Sequence, residues 1–111
     1  MEDLLYLSVL FEYYGVLLTK RQFEICDMYL NQNLSLGEIS ECIGISRQGV
    51  RDSLVKAEKL LKEYEDKLKI YHKNTLLSQH LVEIDDIINK SGDLKLSEKV
   101  SKITEKIGNL I

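Results

Sequence analysis

The sequence predicts an all-α protein, a helix-turn-helix bundle with a long helix and a C-terminal helical extension. Three observations predict it. Residues 35–61, SLGEISECIGISRQGVRDSLVKAEKLL, read as two helices joined by a very short turn. Apolar residues beyond position 50 recur at spacings of four and three, the seam of a packed helix. Proline is absent and β-branched residues form no alternating runs, so nothing argues for a sheet.

Taken in order, residues 3–14, DLLYLSVLFEYY, form a first helix ended by Gly15. Leu4, Leu5, Val9 and Tyr13 are expected to face the core, with Leu7, Leu10, Phe11 and Tyr14 widening the apolar surface. Thr19 caps the next helix and Gln22 takes the reciprocal capping-box position. Phe23, Ile25, Cys26, Met28, Tyr29 and Leu30 make that helix strongly apolar, and Asn31-Gln32-Asn33 is its exit turn.

Ser35 and Glu38 form a second capping box, followed by Leu36, Ile39 and Ile43 on one helical face. Gly44 supplies the residue that turns at φ > 0, Ile45 tucks the turn inward, and Ser46 caps a helix starting at Arg47. Ser40 is small where the two helices approach most closely. Val50, Leu54, Ala57 and Leu61 give the second helix its buried face. Such a two-helix corner can place its second helix in a DNA major groove.

The same seam continues through Tyr64, Leu68 and Tyr71, with no glycine before Asn74, so a helix of about 25 residues and ~38 Å is expected. After Thr75, Leu77, Leu81, Ile84 and Ile88 repeat the spacing. Ser91-Gly92-Asp93 breaks the chain, and Leu96, Val100, Ile103, Ile107 and Leu110 continue, with Ser97 as the available cap. These seams cannot be buried by one helix alone. They fold back on the long helix or pair with a second chain, so a homodimer held by the extension is expected. The division falls into a module over residues 1–63 and an extension over 64–111.

At 111 residues, 44% apolar and 30% charged, the chain suits one small domain with an extension and can bury a core. Its net charge of -3 argues against a general nucleic-acid coat. Residues 46–62 nevertheless carry five basic side chains against Asp52 and Glu58, so the basic charge is segregated there. Cys26 and Cys42 stand among apolar neighbours and read as buried, reduced thiols. No run approaches a membrane span and no signal segment is evident, so a cytoplasmic protein is expected.

The order Leu18-Thr19-Lys20-Arg21-Gln22, Leu30, Leu34-Ser35-Leu36, Glu38-Ile39, Gly44-Ile45-Ser46, Val50-Arg51, Leu54, Lys56-Ala57 and Leu61 resembles region 4 of bacterial sigma factors. That four-helix module reads the −35 promoter element. The resemblance covers roughly residues 16–63. With the N-terminal helix and the extension, the whole chain looks like the small YlxM-type family, which is associated with the signal recognition particle pathway. The resemblance implies a sigma-region-4-like fold and a partner that is DNA, or the RNA or protein of that particle.

Arg47, Gln48 and Arg51 project from the first turns of the second helix, where arginine can read guanine and glutamine adenine. Ser46 at the cap and Lys56 further along complete that surface. Lys20 and Arg21 are candidate phosphate contacts by the sigma-like resemblance. Asp52 and Glu58 would repel phosphate. His72 and His80 lack ligand-spaced companions and read as surface residues, so no metal is expected. Asp85 and Asp86 read as a solvated face. No Ser or Cys is set with a His and an acid, and no Gly-rich phosphate loop is present. Neither an enzyme, a cofactor nor a small-molecule substrate is expected.

Overall fold

The computed structural model describes residues 3–111. Its elements are α1 (Leu4–Tyr14), a 3-10 turn (Gly15–Leu17), α2 (Lys20–Leu30), α3 (Leu36–Ile43), α4 (Arg47–Leu68), α5 (Ile70–Lys90) and α6 (Leu94–Gly108). No strand occurs among the described residues, and the fold is all-α as expected. The chain divides into two compact units, Met1–Lys69 and Ile70–Ile111.

In the first unit, α4 packs against α1, α2 and α3. The caps form as the sequence directs. Thr19 and Gln22 bond reciprocally at the head of α2, and Ser35 and Glu38 do the same at α3. Asp3 caps α1, its Oδ1 accepting from the Tyr6 amide at 3.0 Å. Ile39, Val50, Leu54, Ala57 and Leu61 are all buried, with at most 2% exposure.

The buried face of α1 is the opposite of the expected one. Leu7, Leu10, Phe11 and Tyr14 enter the core, whereas Leu4 and Leu5 are exposed and Val9 and Tyr13 half-buried. Both sets satisfy helical spacing on a helix apolar nearly all round. Burying Phe11 and Tyr14 removes more area from water, and only that rotation brings the Tyr14 hydroxyl to Glu65. Tyr14 donates to Glu65 Oε1 at 2.6 Å, and both residues are buried. Gly15 does not turn the chain at positive φ; it continues right-handed (φ -55) into the 3-10 turn. A Cβ there would lie 2.9 Å from the Phe11 ring, so glycine is needed for space.

α4 stops earlier than its heptad spacing suggests. Lys69 takes the left-handed conformation (φ 54) and its amide bonds the Glu65 carbonyl at 2.8 Å. The helix has 22 residues, and Tyr71 falls in the first turn of the next helix instead of ending this one. Residues 63 and 64 lie inside α4 without a break. Tyr64, expected to seek a partner in the extension, sits with its ring 6.1 Å from that of Tyr14.

In the second unit, α5 and α6 pack as an antiparallel pair. Gly92 (φ 77) makes the turn, and Asp93 caps α6 by accepting from the Leu96 amide at 3.0 Å. The expected cap, Ser97, lies one turn inside the helix and donates to Asn89 Oδ1 at 2.7 Å. Asp85 is half-buried, not a solvated carboxylate, because it accepts from the buried Thr104 hydroxyl at 2.8 Å.

Candidate nucleic-acid interface

The corner between α3 and α4 is fixed by three local choices. Gly44 ends α3 in the left-handed region (φ 72), which a side chain would strain. The Ser40 hydroxyl donates to the Ile45 carbonyl, tying α3 across the turn. Ser46 Oγ accepts from the Gly49 amide at 3.0 Å and starts α4. Ser46 is therefore occupied as a cap. Glu38, at the start of α3, has its carboxyl held below the ordinary value, first by the Ser35 amide and then by its hydroxyl.

On α4 the core residues occupy one face, and Arg47, Gln48, Arg51, Val55 and Lys56 are exposed. None of Arg47, Arg51 and Lys56 makes an ion pair among the described residues. Arg47 lies beside α3: a Cβ on Gly37 would stand 3.0 Å from its Nε and Nη2. Gly37 thus leaves the space in which the guanidinium rests, a role that only the packed structure exposes. Gln48 donates to Asp52 Oδ1 at 2.9 Å, and Glu58 pairs with Lys62 at 3.2 Å. Both carboxylates that would oppose phosphate are thus held by a neighbour on the same helix.

Lys56 belongs to the other flank. It lines a shallow groove with Gln22, Lys59, Leu60 and Glu63. Gln22 stands in the first turn of α2, so Lys56 lies on the flank where α2 begins with exposed Lys20 and Arg21. The candidate residues therefore do not share one flank: Arg47 lies toward α3 and Lys56 toward α2. Lys59 lines this groove and a second one with Val55, Glu58, Lys62, Glu63 and Asp66. The sequence shows Lys59 as one basic residue among five; its place comes from the packing of α2 on α4.

The space beside Leu7, Cys26, Leu30, Leu54 and Leu61 holds about 10 Å³, the limit for a single water. No group of three His, Cys, Asp or Glu is set to hold a metal ion among the described residues. No helix there is long and apolar enough to cross a membrane.

Fold and corner define a helix-turn-helix protein. Residues 1–105 match the UPF0122 family, described as "Putative helix-turn-helix protein, YlxM / p13 like". A UPF0122 protein of Acetivibrio thermocellus is 41% identical over 100 residues, covering 90% of this chain and 86% of its own. One from Clostridium kluyveri is 39% identical over 111 residues, covering 100% and 96%. One from Thermoanaerobacter sp. is 38% identical over 110 residues, covering 99% and 94%. The chain belongs to the UPF0122 family.

Proposed function

We propose that the protein is a regulatory factor that binds duplex DNA through the first turns of α4. The observation that carries this is the exposed set Arg47, Gln48 and Arg51 on the second helix of the corner, with both guanidinium groups free of ion pairs among the described residues. Two arginines and a glutamine suit guanine and adenine edges. Lys20, Arg21 and Lys56 on the α2 flank suit the adjoining phosphates.

A second reading has its own support. Beyond Lys56, α4 mixes Lys59 and Lys62 with Glu63 and Asp66, and the chain as a whole carries -3. Such a surface suits a basic protein or an RNA-protein surface better than bare duplex. It agrees with the family resemblance to a component of the signal recognition particle pathway.

A salt series with duplex DNA and with signal recognition particle RNA separates the two. On a preferred duplex, Arg47→Ala or Arg51→Ala is expected to cost about 1–3 kcal/mol, with little effect on random duplex. Lys20→Ala should weaken both alike and lower the salt slope by about one. Duplex affinity no tighter than roughly 10⁻⁵ M, with tighter binding to the RNA, would favour the second reading.

A further inference from the structure

The α5–α6 pair is unusual in what it leaves uncovered. Its only buried residue is Thr104, a polar one, and no apolar side chain of the unit is buried. Leu81, Asp85 and Ile88 on α5 meet Ser97, Val100 and Thr104 on α6, all at least half-buried. That seam is narrow and partly polar. A 42-residue unit of this kind sits at the size where chains need oligomerisation or a staple to hold a fold.

Six of the apolar side chains missing from the seam fall in two stripes. Leu77, Ile84 and Ile87 lie to one side of the α5 seam at 47, 43 and 70% exposure. Leu96, Ile103 and Ile107 flank the α6 seam at 44, 57 and 38%. At 100° per residue, each stripe is displaced from its seam in the same rotational sense. The helices run antiparallel, as the Asn89–Ser97 and Asp85–Thr104 hydrogen bonds require. Equal rotation on antiparallel helices puts both stripes on one side of the pair. Together they expose roughly 500–600 Å², at the upper end of the largest patch on an ordinary monomer. With its polar rim, the face approaches the ~800 Å² that a standard interface takes from each partner.

Charge selects the occupant. α5 carries Lys73 and Lys90 against Glu83, Asp85 and Asp86, a net -1. α6 carries Lys95, Lys99, Lys102 and Lys106 against Glu98 and Glu105, a net +2. Stacking α5 on α5 or α6 on α6 sets like charge on like. A two-fold arrangement with α6 over the α5 of a second copy sets opposite charges together, and by the Asn89–Ser97 and Asp85–Thr104 register brings Glu83 and Lys106 to the same rim.

We propose that this face binds a second copy of the chain, α6 of each over α5 of the other, forming a four-helix bundle. Sedimentation equilibrium of the full chain, without nucleic acid, should show a dimer at low micromolar concentration. Ile103→Glu should weaken association about 30-fold or more, as expected of a central interface residue. Val82→Glu, 60% exposed on the opposite side of α5, should leave it unchanged. Far-ultraviolet circular dichroism reports whether the variants keep their helices, and Ile84→Gln gives a milder change on the same face. Lys106→Glu should weaken the dimer, and Glu83→Lys in the same chain should restore it, since each copy supplies both partners. A monomeric wild type overturns the proposal. So does a Val82→Glu variant that dissociates as readily as Ile103→Glu, or a reversed pair that fails to rescue.

Discussion

Cys26 and Cys42 have opposite surroundings, and their chemistry should follow. Cys26 is 3% exposed in α2, and burial pushes its thiol up to about 11. Cys42 is exposed near the end of α3. It falls to the solvent side of the line Leu36–Ile39–Ile43, so the expectation that both thiols are buried holds only for Cys26. The thiolate is the reactive form, so a thiol reagent at neutral pH should modify Cys42 quickly and Cys26 only on unfolding. Cys42→Ser should abolish the fast phase and leave the slow one. The raised Cys26 value also has a stability consequence. Between pH 9 and 11 the unfolded chain releases this proton while the folded one keeps it. Its contribution is therefore complete below about pH 9 and is lost as pH rises through 11. Denaturant midpoints of wild type and Cys26→Ala across that range should converge upward in pH.

At the scale of the element, the α3–α4 corner depends on one backbone conformation. Gly44 is left-handed (φ 72), and a Cβ there would meet no atom within 4 Å. Space is thus no obstacle to Gly44→Ala, and the cost is conformational, about 1–2 kcal/mol. Gly44→Asn should cost less, because asparagine tolerates this region. Chemical denaturation of the two variants checks the order. The corner is readable from residues because every determinant is local: the Ser35–Glu38 box, Gly44 and the Ser46 cap lie within four positions of their partners. The rotation of α1 was not, since its apolar residues nearly encircle the helix and only long-range contacts with Phe23 and Glu65 choose between faces. The stop at Lys69 carries no sequence mark, as lysine rarely adopts positive φ and the heptad spacing runs on through it. For the interface, spacing alone showed which α4 residues face outward. The division of the basic residues into two flanks needed the packing of α2 and the space above Gly37.

Across the whole molecule, every buried apolar side chain of the described residues lies between Leu7 and Leu61, within the first unit. A fragment ending at Lys69 contains that core, its caps and the Tyr14–Glu65 hydrogen bond, so it should unfold in one cooperative step. A fragment ending at residue 63 keeps the same aliphatic core but loses two groups that close it from the far end of α4. Without Glu65, the buried Tyr14 hydroxyl loses a partner now at 2.6 Å, a loss of about 1–3 kcal/mol. Without Tyr64, Tyr14 also loses a ring at 6.1 Å, about 0.5–1.5 kcal/mol. The shorter fragment should therefore be less stable by roughly 1.5–4.5 kcal/mol, measured by urea denaturation at equal concentration. Its deficit should shrink in the Tyr14→Phe background, where no hydroxyl is left to satisfy. Equal midpoints for the two fragments in the wild-type background would place the end of the folding unit before Tyr64, and the Tyr14–Glu65 pair would then contribute nothing to it.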